Sequence, residues 1–428
     1  MAANTIRDIV DYTLKFKEQP LNEDAVKQAK KLVLDTLGVS ISGWKEPSIA
    51  KIYRAIDRGD STWTAQAFGT GERLPLEWAI ICNGALARVQ DYMDVYYDLD
   101  ASHPAEYIPF VFCCCDALGL SGEQAIRGIL LAYDLQGWFT ENMRCNRNGW
   151  HYATVASAVC TAVFGMLLSC DREQLANMMA VNCCCNYTSL GIGAQTDMKT
   201  LAFALSAANS VKAARLAMAG IQGSADALDN LFRMTGNSDA IFSPLVPEQP
   251  RIFRTSIKPY PSEFMAHSAL AALDEILTEE DIRAEDIAGI HIAVHDWATW
   301  IARECSYHPM NREESDHSLP YCIAARLVFG TLTTAQFQDK AWENSRVKAL
   351  MSRIKVEADP GLEALYPKAR PAVVSITLKD GRKLSGRVDH PLGDYQNPMS
   401  YAQVLEKFCR CAGEILPDEK AHAIIDAV

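Results

Sequence analysis

The sequence has no apolar run of the roughly 20 residues that a membrane span requires. It has no surplus of positive charge: 41 Lys and Arg stand against 53 Asp and Glu, a formal net charge of -12. That balance argues against nucleic acid and against an anionic membrane surface as partners. No Cys-x-x-Cys pair occurs among the 14 cysteines. Cys113, Cys114 and Cys115 are adjacent, as are Cys183, Cys184 and Cys185. Neighbouring side chains on a helix diverge, so neither triplet can converge on one metal ion, and an iron–sulfur cluster is excluded on the same ground. The first twenty residues carry neither a basic segment followed by an apolar one nor an Arg-rich transit character, and the expected compartment is the cytoplasm. Internal repeats and low-complexity segments are also missing.

What is present is a soluble globular balance, 49% hydrophobic and 22% charged, over 428 residues. That length allows two or three domains and a large core. Residues 1–255 read as helices. "NEDAVKQAKKLVLDTLGVS" offers Asn22 as a cap and sets Val26, Ala29, Val33 and Leu37 on one face. "SGEQAIRGILLAYDLQGWF" offers Ser121 as a cap, and its apolar positions are too dense for a one-sided surface helix. "LAFALSAANSVKAARLAMAG" is rich in small residues, which let helices approach closely. The pattern changes near residue 256. "GIHIAVHD" alternates like a half-buried strand, "SRIKVEADP" gives another, and "AVVSITLKDGRKLSGRVDH" reads as a hairpin turning at Asp380-Gly381. The expected class is mainly α with an α+β part: a helical domain over 1–255, an α+β lid over 256–391, and helices over 392–428 that return to the first domain. Ser400 is the expected cap of that tail, and the stretch 236–262 is the expected hinge.

Four stretches could carry chemistry. "DYMDVYYDLDASHP" packs Asp91, Asp94, Asp98, Asp100 and His103 together, with His103 held extended by the proline after it. "GWHYATVASA" sets His151 before a small-residue helix. Lys199 stands near the start of an otherwise apolar helix, where lysine seldom points inward without a partner. "IKPYPSEFMAH" fixes the chain after Lys258 with two prolines. Each has an ordinary explanation when taken alone: an acidic surface loop, a core or capping histidine, a snorkelling lysine, a domain boundary.

Taken in order, these stretches resemble the MmgE/PrpD family, which includes 2-methylcitrate dehydratases, cis-aconitate decarboxylase and iminodisuccinate epimerase. The acidic segment ending in "HP", "GWH" at 149–151, Lys199 at a helix start, "KPYP" at 258–261 with His267 beyond it, "DHSLPYCIA" at 316–324 and "GDYQNPMSYAQVLEKF" at 393–408 carry the likeness. The resemblance implies a site between helical domain and lid, a homodimer, a small carboxylic-acid substrate, and neither metal nor cofactor. By position it makes His103, His151 and Asp91 catalytic, with Asp91 able to orient an imidazole. Lys199 and Lys258 fall where the family contacts substrate. Met93, Val95, Ala202, Glu263 and Phe264 depart from the family's pattern. Glu263 would border the substrate, and Arg144 and Arg147 could restore positive charge beside His151. The expected activity is that of a cofactor-independent lyase dehydrating a 2-methylcitrate-like hydroxyacid. Decarboxylation or epimerisation of a related acid is the alternative, and a non-catalytic dimeric scaffold is the rival from another class. Both histidines are expected to face one pocket with both lysines on its walls.

Overall fold

Helix starts in this chain are written by their caps. The Asn22 side chain accepts the amide of Ala25, and Ser121, Asp171 and Ser400 each complete a reciprocal capping box. The computed structural model describes residues 5–190, 196–238 and 242–428. Its first part is helical: α1 (Thr5–Glu18), α2 (Glu23–Gly43), α3 (Pro47–Arg54), α4 (Leu76–Arg88), α5 (Tyr107–Leu118), α6 (Gly122–Asn142), α7 (Ala153–Leu167), α8 (Arg172–Cys183), α9 (Met198–Met218) and α10 (Ala227–Met234). Two short hairpins interrupt it, β1 (Thr64–Gln66) with β2 (Arg73–Pro75) and β3 (Tyr96–Tyr97) with β4 (Ala101–Ser102).

Small residues set the helical layer's spacing. A Cβ added at Gly84 on α4 would stand 3.0 Å from the Ala204 methyl on α9. Ser206 of α9 donates to the Ala153 carbonyl of α7 at 2.7 Å. α9 therefore lies inside the layer, and Lys199 enters the protein interior with it.

The second part has its own apolar cluster, running from Met265 to Val388. β5 (Ile287–Val294) is central to a four-stranded sheet in the order β6-β5-β7-β8, with β6 (Ile354–Ala358), β7 (Ala372–Leu378) and β8 (Lys383–Val388). β5 pairs parallel to β6 and antiparallel to β7, and the β7–β8 hairpin turns through Asp380-Gly381 as read from the sequence. α11 (His267–Glu279), α12 (Arg312–Ser315), α13 (Leu319–Phe329), α14 (Ser345–Met351) and α15 (Pro360–Glu363) belong to this part.

The tail, α16 (Tyr401–Gly413) and α17 (Asp418–Ala427), leaves the sheet and packs on α2. Gly38 admits Phe408 closely, and Lys407 forms a fully buried 2.7 Å pair with Asp35. Of the expected hinge, residues 239–241 lie outside the described residues. Farther along that stretch, Arg251 pins the chain to α6 through Asp134 and Glu141. Among the described residues, no helix is long and apolar enough to cross a membrane.

Candidate active site

α4 ends at Arg88, and three residues later Asp91 adopts φ of +50°, a left-handed conformation that Asp tolerates better than most residues. The turn aims the Asp91 carboxylate inward, where three cations meet it. Arg88 donates to Oδ1, Lys258 donates to Oδ2 at 2.8 Å, and the Lys199 ammonium lies 3.9 Å from Oδ1. Lys258 also donates to the Asp91 carbonyl at 2.8 Å. Burial pushes the Asp91 carboxyl up, but Lys258, Lys199 and Arg88 outweigh it and hold it well below the usual carboxylate range.

One peptide bridge and one tyrosine tie this turn to the segment bearing Lys258. Val95 and Ser256 exchange backbone hydrogen bonds at 2.9 Å each, and the Tyr92 hydroxyl donates to the Pro259 carbonyl at 2.8 Å. The site therefore stands where the two apolar clusters meet.

His103 and His151 both lie against the ring of Tyr152, at centroid distances of 5.8 and 4.3 Å. Both are half-buried, keeping an edge on solvent. Their tautomers differ. His103 Nδ1 is 2.8 Å from the Asp94 carbonyl oxygen, which can only accept, so Nδ1 carries the hydrogen and Nε2 holds the lone pair. His151 Nδ1 accepts the Ala153 amide at 3.2 Å, so in the neutral ring the hydrogen sits on Nε2. Burial keeps both rings neutral. It pulls His103 well below its ordinary value, helped by Arg88 and Lys258, and pulls His151 down to about 3, helped by Arg88. The Tyr152 hydroxyl donates to Glu106, whose carboxyl burial raises to about 7 against the pull of Arg88.

The lysines are not open walls. Lys258 is 1% exposed and Lys199 2%, and each is paired with protein carboxylates. Lys199 donates to both oxygens of Asp316, at 3.0 and 3.3 Å. An unpaired ammonium inside the fold would be far costlier than a paired one, which is why the interior supplies partners. Asp91 likewise binds cations rather than orienting an imidazole. Beside this buried cluster, the imidazole paired with a carboxylate is His317, which follows Asp316 directly.

Other expected residues divide. Glu263 is buried, accepts the Tyr97 hydroxyl at 2.6 Å, and lies within electrostatic reach of Lys258. Arg144 and Arg147 are exposed and do not join the buried cluster. Arg147 instead covers the Trp297 ring at 5.4 Å. Met93, Val95 and Ala202 are buried apolar positions. His267 is fully buried, with Nε2 3.3 Å from the Ser262 hydroxyl.

Sequence reasoning missed Arg88, Glu106, Tyr152, Asp316 and His317. One signal was legible: Arg88 is the lone charge near the end of an apolar helix, three residues before Asp91. Among the described residues, no three His, Cys, Asp or Glu side chains are placed to hold a metal ion.

Residues 7–244 match the MmgE/PrpD N-terminal domain, and residues 260–428 match the MmgE/PrpD C-terminal domain. A mouse (Mus musculus) protein named cis-aconitate decarboxylase is 26% identical over 450 residues, covering 96% of this chain and 88% of that protein. A Cupriavidus necator protein named 2-methylcitrate dehydratase is 25% identical over 451 residues, covering 98% of this chain and 92% of the relative. The Salmonella typhimurium protein of the same name is 25% identical over 454 residues, with coverage of 98% and 92%.

Proposed function

Since this chain belongs to the MmgE/PrpD family, we propose that it is a cofactor-independent lyase that dehydrates a small hydroxy di- or tricarboxylic acid of the 2-methylcitrate type. The single observation that carries this reading is the pair of histidines whose Nδ1 atoms are oppositely engaged, one against a carbonyl and one against an amide, beside a buried cluster of cations. Dehydration removes a C–H proton next to a carboxylate and expels hydroxide. His103 Nε2, with its lone pair free, is the base. His151 Nε2–H is a neutral donor, suited to the carboxylate oxygen on which negative charge grows. Arg88, Lys258 and Lys199 add a positive field from below, and it acts strongly because water is excluded there.

The same cations are already shared with Asp91 and Asp316, so less positive charge is left over for substrate. This favours a substrate with fewer carboxylates than citrate, or one whose extra carboxylate stays in solvent. Decarboxylation is the second reading, favoured by the mouse relative, which is as similar as the dehydratases. There the same donors would stabilise the carbanion left by carbon dioxide. A non-catalytic scaffold would have no use for two half-buried histidines held in complementary tautomers beside buried cations.

The test is a product assay. EDTA-treated protein is incubated with a panel of hydroxy di- and tricarboxylates and with cis-aconitate, and products are read by NMR. Formation of an unsaturated acid without carbon dioxide is the expected result. Carbon dioxide release selects the decarboxylase, and inertness toward the whole panel overturns both readings.

A further inference from the structure

One imidazole in the cluster is left without a role by this chemistry. His317 follows Asp316 directly, and its Nδ1 pairs with the Asp316 carboxylate. That carboxylate is fully buried and also accepts from Lys199 and, at 3.1 Å, from Arg312. Arg312 in turn donates to the Val89 carbonyl at 2.6 Å and lies 3.3 Å from Glu46, so Asp316 is held from three sides. The Asp316 carbonyl accepts the Glu263 amide at 2.9 Å, which ties the pair to the turn after Lys258. The His317 ring is 7% exposed, packs 5.6 Å from Trp300, and lies within electrostatic reach of Asp91 and Glu263.

These placements answer a need that His103 and His151 leave open. Expelled hydroxide requires a proton. His103 accepts one from carbon, and His151 as a neutral ring holds only a weakly acidic N–H. His317 arrives from the lid side, and the Asp316 carboxylate on its Nδ1 fixes the ring's orientation and leaves Nε2 for the reacting group.

We infer that His317, oriented by Asp316, is the general acid that protonates the leaving hydroxyl, an inference that rests on the lyase reading above. In the step, His103 Nε2 takes the proton from carbon and the C–H electron pair becomes the new C=C bond. The C–O bond breaks, and its electrons capture the proton of His317 Nε2–H, releasing water. His317 is left neutral with Nδ1–H on Asp316, and His103 is left cationic. One proton exchange with solvent at each ring restores the start, and no oxidant or reductant is involved.

A leaving group that needs no proton separates this role from a structural one. Wild type and His317→Gln are compared on a hydroxyacid that the wild type dehydrates and on its fluoro analogue, in which fluoride replaces the hydroxyl. His317→Gln should lose roughly 10²–10⁴ in kcat for water elimination yet expel fluoride within about tenfold of wild type. Parallel loss on both substrates, from misfolding or from a purely structural role, overturns the inference, as does no loss on either. His317→Asn is the second variant and should give the same split. A wild type inert toward every hydroxyacid overturns the dehydratase reading and this inference with it, whereas an active wild type matched by an equally active His317→Gln overturns the inference alone.

Discussion

Asp91 meets three cations with one carboxylate, and it is the carboxylate partner of Lys258, whereas Lys199 also has Asp316 and Arg88 also has Glu106 at 3.7 Å. Asp91→Asn should therefore destabilise the protein by about 3–5 kcal/mol, the usual cost of stranding a buried charge, read by urea unfolding. An unchanged midpoint would mean the cations relax to other partners. A second residue-scale case lies in the lid. His295 is 1% exposed, stacks 4.6 Å from Tyr366, and has both ring nitrogens buried without a hydrogen-bond partner among the described residues. Burial, with Arg370 adding to it, lowers its pKa to about 4. The unfolded chain thus binds a proton below about 6.5 that the folded chain refuses until about 4, so stability from this group is lost as pH falls through that window. His295→Phe keeps the stack and removes the linkage. Relative to wild type it should gain roughly 2 kcal/mol between pH 7.5 and pH 5, and a pH-independent difference would contradict this. At this scale His103, His151, Lys199, Lys258 and Asp91 were singled out through the family resemblance, because each stretch taken alone had an ordinary explanation; the structure gathers Asp91, Lys199 and Lys258 in one buried cluster. The sequence showed His317 only as part of the 316–324 signature and gave it no role, because Asp316 gains its meaning from Lys199, which is 117 residues away. Arg144 and Arg147 stay exposed outside the buried cluster, and Arg147 covers the Trp297 ring.

Elements deliver these residues, and the joints between elements are where precision is set. Gly393 has φ of +90°, its carbonyl accepts the Ile257 amide at 2.8 Å, and a Cβ there would stand 1.9 Å from the Ile257 oxygen. Ile257 immediately precedes Lys258, so this glycine fixes the strand of chain that brings Lys258 to Asp91. Gly393→Ala should cost about 1–3 kcal/mol of stability from backbone strain and raise KM through a displaced Lys258. Unaltered stability and KM would show that the joint has slack. Helix caps at Asn22, Ser121 and Ser400 and the hairpin at Asp380-Gly381 were legible, because each is a short-range rule met by adjacent residues. The left-handed Asp91 was not, because it is imposed by the three cations and by the peptide bridge of Val95 with Ser256.

At the scale of the molecule, the tail closes the structure over the site. Lys407 of α16 donates to the Tyr92 carbonyl at 2.8 Å and lies 3.9 Å from the Tyr92 ring centroid, beside Asp91, while its ammonium pairs with Asp35. The two chain ends thus brace the turn that carries the central carboxylate, an arrangement read from the apolar face of "YAQVLEKF" but not in its detail. The resemblance implies a homodimer, and sedimentation should give twice the 47.3 kDa chain mass; a monomer would remove assembly from the description. Turnover should survive EDTA, because neighbouring cysteines of each triplet diverge and no three His, Cys, Asp or Glu side chains among the described residues are placed for ligation; loss restored by a divalent ion would refute that. The most direct measurement compares His103→Gln with His151→Gln at saturating substrate. If His103 is the base and His151 a neutral donor, His103→Gln loses roughly 10²–10⁴ in kcat, while His151→Gln, whose amide still offers N–H, loses far less. Equal losses, or the larger loss at His151, would contradict the assignment of base and donor.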